Sequence, residues 1–289
     1  MRLVQISDLH FTHFPLNPFR HLSKRFLGTF NWLLFRRNEL STDQLLPLPQ
    51  LFRDLDVDLV LFGGDFTTTA LISEFEAAQQ FVKQFSQPWL AVPGNHDKYT
   101  LRSDRNNHFY NYFPNFRKEI VHPVESYSLK EHKVEAHPLT KGWWIIALDT
   151  ALATNPYSSE GLFSQKLETH LKEVLALLPP TDSILLLNHY PFFQNDEPRR
   201  NLLRGEELQK IIARDPRIRL YLHGHTHRRT LANLQPNHLP IILDSGCSTH
   251  TAHGSWNLID LTPTGCTIQA YHWKNSQWQK QRAESFSWK

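Results

Sequence analysis

Leu3-Val4-Gln5-Ile6-Ser7-Asp8-Leu9-His10 is the stretch whose reading decides the fold. Its first half is short, apolar and partly β-branched, as a buried strand is. Its second half places a carboxylate and an imidazole two residues apart, just past the strand. The same event recurs down the chain. Leu59–Phe62 leads into Gly64-Asp65, and Trp89–Val92 into Gly94-Asn95-His96-Asp97. Ile184–Leu187 leads into Asn188-His189-Tyr190-Pro191, and Ile218–Leu222 into His223-Gly224-His225-Thr226-His227. Trp143–Leu148 and Ile241–Leu243 read as two further strands.

Helices are expected between several of these runs, over about 42–55, 72–86, 164–178 and 205–213. Thr42 and Ser164 are the expected N-caps, and Pro179-Pro180 ends the third helix. Alternating strands and helices predict a layered α/β fold. Helices thin out after Ile218, which predicts a partly antiparallel second sheet. The chain reads as a single domain over 1–289.

With 40% hydrophobic and 20% charged residues among 289, a sizeable core is available. The net charge of +3 is too small to point to nucleic acid, and no nucleic-acid partner is expected. The charge is uneven: residues 1–40 carry Arg2, Arg20, Lys24, Arg25, Arg36 and Arg37 against Asp8 and Glu39. Cys247 and Cys266 suit neither a disulfide framework nor a ligand pair, and read as reduced packing residues of a cytoplasmic protein. No cleaved leader is expected, because the first residues run straight into Asp8. No apolar run approaches the roughly 20 residues that span a bilayer.

The five motifs offer carboxylates, an amide oxygen and imidazoles. That mixture suits manganese, iron or zinc, with manganese the expected ion, and argues against a thiolate-rich structural site. Two metals roughly 3.5–4 Å apart can clamp the attacking and leaving oxygens of a phosphoryl displacement and activate water. A bridging carboxylate holds such a pair together, and an imidazole can protonate the leaving oxygen.

Together and in this order, the motifs resemble the pattern of the calcineurin-like metallophosphoesterases: D-x-H, G-D, G-N-H-[DE], H and G-H-x-H, from Asp8 to His227. The resemblance implies a four-layer α/β/β/α sandwich that hydrolyses phosphoesters with two divalent metals. It implies that Asp8, His10 and His227 hold one metal, that Asn95, His189 and His225 hold the other, and that Asp65 bridges them. His96 would be the catalytic acid, oriented by Asp97, with His223 in support. Phe66-Thr67-Thr68-Thr69 follows Asp65 where the protein Ser/Thr phosphatases carry an arginine motif, so that branch does not fit.

The gap from Asp8 to Asp65 is about twice that from Asp65 to Asn95. The excess, residues 11–40, reads as an inserted helical lid over the site. Asn17-Pro18 starts a helix, and Phe19, Leu22, Phe26, Phe30 and Leu33 form its apolar face. Arg20, Lys24, Arg25 and Arg36 lie opposite, with Trp32 and Phe35 on the basic side, as in a membrane-surface helix. The C-terminal residues 271–289, with Trp273, Trp278 and Trp288, form an aromatic-basic tail that is either a second interfacial anchor or buried.

These features resemble bacterial membrane-peripheral phosphoesterases, which include the UDP-2,3-diacylglucosamine pyrophosphatases of lipid A synthesis. That resemblance implies a lipid-linked pyrophosphate as substrate, release of UMP, and a place on the inner face of the cytoplasmic membrane. Arg20, Phe26, Phe30, Trp32, Arg199 and Arg200 are the expected substrate contacts. The proteobacterial enzymes of that reaction carry Arg in place of His96. Two other readings stay open: a soluble cyclic-nucleotide or general phosphodiesterase, and a catalytically silent membrane-binding protein.

Overall fold

In the strand Ser183–Leu187, Ile184 and Leu186 enter one apolar cluster while Leu185 and Leu187 enter another. Trp143–Leu148 divides in the same way, with Ile145 and Ala147 on one side and Ile146 and Leu148 on the other. A strand has side chains of period two, so a sheet buried on both faces must feed two cores. Each fully buried Leu or Ile here stabilises the fold by roughly 1.5–3 kcal/mol.

The computed structural model describes residues 1–13, 39–115, 122–155, 158–194 and 197–288. The expected lid contacts Arg20, Phe26, Phe30 and Trp32 lie outside the described residues. The strands are β1 (Arg2–Ile6), β2 (Leu59–Phe62), β3 (Trp89–Ala91), β4 (Val134–Thr140), β5 (Trp143–Leu148), β6 (Gly161–Leu162) and β7 (Ser183–Leu187). Then come β8 (Leu202–Leu203), β9 (Ile218–His223), β10 (Thr230–Asn233), β11 (Ile241–Asp244), β12 (Ser255–Thr262), β13 (Gly265–Lys274) and β14 (Gln277–Ser287). The longer helices are α1 (Leu48–Asp54), α2 (Ile72–Val82), α3 (Gln165–Leu177) and α4 (Gly205–Arg214).

One sheet runs β14-β13-β12-β1-β2-β3 and the other β10-β11-β9-β7-β5-β4. Phe52 of α1 and Phe75 of α2 pack into the cluster built on the first sheet. Leu167 and Leu171 of α3 and Leu208 and Ile212 of α4 pack on the outer face of the second. The result is the expected α/β/β/α sandwich. Between the sheets, buried Gln5 of β1 donates to the carbonyls of His223 (2.7 Å) and Leu243 (3.2 Å) on the other sheet. Its own oxygen accepts from Asn257 at 3.0 Å. This pins the two sheets together next to the loops that carry the motifs.

Several expectations change. Ser164 caps α3 as expected, accepting from the Leu167 amide at 3.1 Å. The first cap is Ser41 rather than Thr42, and it closes a 3-10 turn, Thr42–Leu45. Pro47 then separates that turn from α1, because proline has no amide hydrogen to continue a helix. The late strands are shared out: β10 and β11 join the second sheet, while β12, β13 and β14 extend the first as an antiparallel meander.

The aromatic C-terminal residues belong to that meander. Tyr271 stacks on Trp256 at 4.0 Å, Trp288 lies 5.5 Å from Trp143, and Trp278 donates to the Gln44 carbonyl at 2.8 Å. Their rings are used in packing on the core. Among the described residues no helix is long and apolar enough to cross a membrane.

Candidate metal centre

All five motifs lie just past the C-terminal ends of β1, β2, β3, β7 and β9, strands drawn from both sheets. The sandwich therefore gathers them at one edge, where open α/β sheets bind ligands. Asp8, His10, Asp65 and His227 offer ligand atoms that all lie within 4.8 Å of one another. The Nε2 atoms of His10 and His227 are 3.0 Å apart, and Asp8 Oδ1 is 3.2 Å from His227 Nε2. The second group adjoins through Asp65, whose Oδ2 is 3.5 Å from His189 Nε2. Asn95 Oδ1 lies 3.3 Å from His189 Nε2 and 3.0 Å from His225 Nδ1. The seven expected ligands thus form two donor sets that meet at one carboxylate.

The backbone is strained to bring them there. Asp8, His10, Asp65, His225 and His227 all have positive φ, between 47° and 71°. Side-chain-bearing residues avoid that region, and each costs of order 1 kcal/mol or more unless its surroundings fix it. Main-chain bonds do the fixing: the Asp8 amide donates to Gly64 O, and the His10 amide to Asp65 O, both at 3.0 Å. Two glycines allow the loops to touch. A Cβ on Gly64 would stand 2.7 Å from Gly94 N, and one on Gly94 would stand 2.1 Å from Asp65 Oδ1.

The site fits a cation. Asp8 Oδ1 is buried and makes no well-formed hydrogen bond, with His227 Nε2 3.2 Å away, an arrangement that a cation shared by the two would complete. Burial pushes the Asp8 carboxyl up, but His227 and His189 overcome it and hold the group at about 2. Burial, with neighbouring His96 and His227, keeps His10 well below its ordinary value, and burial with His189 takes His225 down to about 3. Both rings are therefore neutral, the form that binds metals. Burial opposes a proton on His189, yet the Asp65 charge wins and lifts it to about 9, so a proton occupies the place beside Asp65 that a bound cation would take from it. Oxygen and imidazole donors in two sets sharing Asp65 suit a dinuclear divalent-metal centre.

The ligand rings are held from behind. His189 Nδ1 lies 2.7 Å from the Gly63 carbonyl, and His225 Nε2 lies 2.8 Å from the Arg200 carbonyl. The main-chain oxygen of Arg200 thus sets a histidine, and its side chain and that of Arg199 are exposed. The Arg199 carbonyl accepts from the Ser159 amide at 2.9 Å.

His96 reaches the site with its ring 4.9 Å from that of His10. Its Nδ1 lies 2.6 Å from the Thr68 carbonyl, and its ring stacks on Tyr99 at 5.7 Å. Asp97 does not orient it. The Asp97 carboxylate accepts from the Thr67 amide (3.0 Å), the Thr67 hydroxyl (3.2 Å) and the Gly94 amide (3.0 Å). Those donors belong to the loops carrying Asp65 and Asn95, so Asp97 ties two motifs together. Burial, with Asp65 nearby, raises its carboxyl to about 7.

His223 is buried behind the site, with Nδ1 3.3 Å from Asp244 Oδ2. Asp244 also accepts from the Thr226 hydroxyl at 2.5 Å, bracing the loop between His225 and His227. Tyr190, next to His189 in the chain, lays its ring 4.4 Å from His225 and its hydroxyl 3.4 Å from Asn95 Oδ1. Asp244 and the carbonyls of Thr68 and Arg200 went unseen in the sequence.

Comparison with known proteins agrees with this geometry. A probable cyclic nucleotide phosphodiesterase of Synechococcus is 26% identical over 226 residues, 75% of this chain and 76% of that one. The 3',5'-cyclic adenosine monophosphate phosphodiesterase CpdA of Haemophilus influenzae is 25% identical over 231 residues, 79% of this chain and 70% of its own. A dimetal phosphatase from Danio rerio shares the fold with a TM-score of 0.69 at 11% identity, covering 100% of this chain and 99% of that one. The family sequence model for calcineurin-like phosphoesterases matches residues 1–229, the whole span from β1 past the last ligand motif, and the chain belongs to that family.

Proposed function

We propose that the protein is a dinuclear metal-dependent phosphodiesterase acting on a small diester of the cyclic-nucleotide class. The observation that carries this reading is the pair of donor sets meeting at Asp65, with Asp8 Oδ1 buried and unpartnered inside one of them. Asp8, His10, Asp65 and His227 would hold one ion; Asp65, Asn95, His189 and His225 would hold the other. When bound, the ions supply positive charge to the phosphoryl oxygens and lower the pKa of water. His96 supplies what remains. With Nδ1–H fixed on the Thr68 carbonyl, the imidazolium form of His96 can hold a phosphoryl oxygen through Nε2–H or give that proton to the leaving alkoxide, ending as the neutral Nδ1–H ring. The names of the two bacterial relatives support a diester over a monoester.

Turnover of 3',5'-cyclic AMP, bis(p-nitrophenyl) phosphate and p-nitrophenyl phosphate with Mn²⁺ tests this. Both diesters should be cleaved faster than the monoester. Faster cleavage of the monoester would overturn the diester assignment.

One observation favours a second reading, a pyrophosphatase for a membrane-borne UDP-2,3-diacylglucosamine. The described residues that flank the basic-aromatic segment 14–38 are both anchored: Phe11 bridges to Thr67, in the loop that carries Asp65, and Leu40 to His250, in the connection between β11 and β12. Release of UMP from detergent-dispersed UDP-2,3-diacylglucosamine, lost on deletion of 17–37 while small-diester cleavage survives, is the outcome that reading requires.

A further inference from the structure

The sequence gives no reason to place Cys247 near the metal motifs, yet the fold does. Its Sγ, with the ring nitrogens of His10 and His227, forms a group of donors all within 4.8 Å of one another. Donors that share one ion, each about 2.0–2.3 Å from it, lie at most about 4.6 Å apart, so the 4.8 Å bound on this group closes to a ligand set with a shift of a few tenths of an ångström. The sulfur is fully buried, and the chain that carries it is stitched to the Asp8 loop. The Ser248 amide and hydroxyl donate to Ser7 O at 3.1 and 2.9 Å, and the Cys247 thiol donates to Asp8 O at 3.2 Å. A second, separate observation points to a ligand at the same place: Asp8 Oδ1, buried and unpartnered, 3.2 Å from His227 Nε2 and 3.8 Å from His10 Nε2.

We propose that Cys247 is an additional ligand of the first metal position, recruited when that position holds a thiophilic ion such as zinc, cobalt or iron. The proposal rests on the reading that His10 and His227 bind metal. On ligation the S–H bond breaks, its proton leaves to solvent, and the sulfur electron pair forms the metal–sulfur bond. The Asp8 carbonyl released by the thiol still has the Thr249 hydroxyl at 3.3 Å. A soft donor beside two imidazoles moves this position's preference from manganese toward zinc and iron. The second position, with Asn95 in the place of a sulfur, keeps the harder set.

The test is the absorption spectrum of the cobalt-substituted full chain, wild type against Cys247→Ser. The proposal expects a thiolate-to-cobalt charge-transfer band in the near ultraviolet that Cys247→Ser lacks, with the visible ligand-field bands kept in both. It also expects the zinc-to-manganese affinity ratio to fall about tenfold or more in Cys247→Ser. Identical spectra and unchanged ratios overturn the role of Cys247 and leave the histidine site standing. Failure of the wild type to take up cobalt overturns both. Zinc-edge X-ray absorption of the unmutated protein needs no variant: a sulfur scatterer at about 2.3 Å supports the proposal, and a shell of nitrogen and oxygen alone sinks it.

Discussion

Nδ1 of His96 lies 2.6 Å from the main-chain carbonyl of Thr68, on the loop that also carries Asp65. A carbonyl only accepts, so Nδ1 carries a hydrogen and this bond fixes the tautomer and orientation of the ring. His96→Ala removes the proton donor without removing a ligand. We expect kcat on a diester to fall by about 10²–10⁴ with metal content unchanged. Loss of bound metal in this variant would show that His96 is a ligand instead.

Asp97 behaves differently because its carboxylate is used up on three donors of the Thr67 and Gly94 loops. Asp97→Ala leaves two buried amides without partners, at a cost of about 2–4 kcal/mol. Thermal unfolding should drop by several degrees, and metal affinity should weaken with it. A variant of wild-type stability that is merely slow would restore the idea that Asp97 acts on His96.

Glu74 is nearly fully buried at the start of α2, where it accepts from the Thr69 amide at 2.8 Å and the Leu71 amide at 3.0 Å. Burial raises its carboxyl from an ordinary 4.5 to about 7, although the amides oppose this. The folded protein thus keeps a proton that the unfolded chain gives up. The stability from this group is fully present below pH 4.5 and is lost as pH rises through 7. Glu74→Gln should unfold at the same urea concentration as wild type near pH 4. At pH 8 it should be the more stable of the two, by up to about 3 kcal/mol. Parallel curves for the two proteins across that range would contradict the shift.

Lys98, one residue past the Asn95–Asp97 motif, is buried with its Nζ 2.6 Å from Asp149 Oδ2, and Lys133 Nζ lies 3.1 Å from the same oxygen. Burial pushes the Asp149 carboxyl up, but Lys98 and Lys133 win and hold it below its ordinary value. The pair ties the β3 loop to the end of β5, and so one sheet to the other. Asp149→Ala takes the closest counter-charge from the buried Lys98 ammonium, leaving it Asp104 at 3.6 Å and the Ala151 carbonyl at 3.3 Å, and should cost about 3 kcal/mol, read as a lower denaturation midpoint. The double change Lys98→Met with Asp149→Leu should recover most of that loss; no recovery would mean that packing, not charge, dominates there.

What was legible in the sequence follows from where the information sits. Asp8, Asp65, Asn95 and the histidines stand directly after short apolar runs, so strand and ligand are read together. The meander β12–β14 was missed because its last strand is half exposed and rich in Gln, Lys and Arg, which blurs the two-residue alternation. The Thr68 and Arg200 carbonyls carry no side-chain signature at all. Cys247 reads as a packing residue because its partners His10 and His227 come from two other loops, and only the sandwich brings the three together.

The central claim is that Asp65 joins two metal positions in a phosphodiesterase site. Metal stoichiometry of Asp65→Ala, measured by elemental analysis after Mn²⁺ loading and alongside bis(p-nitrophenyl) phosphate turnover, tests it most directly. The account predicts two ions per chain in wild type, loss of both in the variant, and a near-complete loss of turnover. A variant that keeps two ions and turns over substrate at the wild-type rate would contradict it.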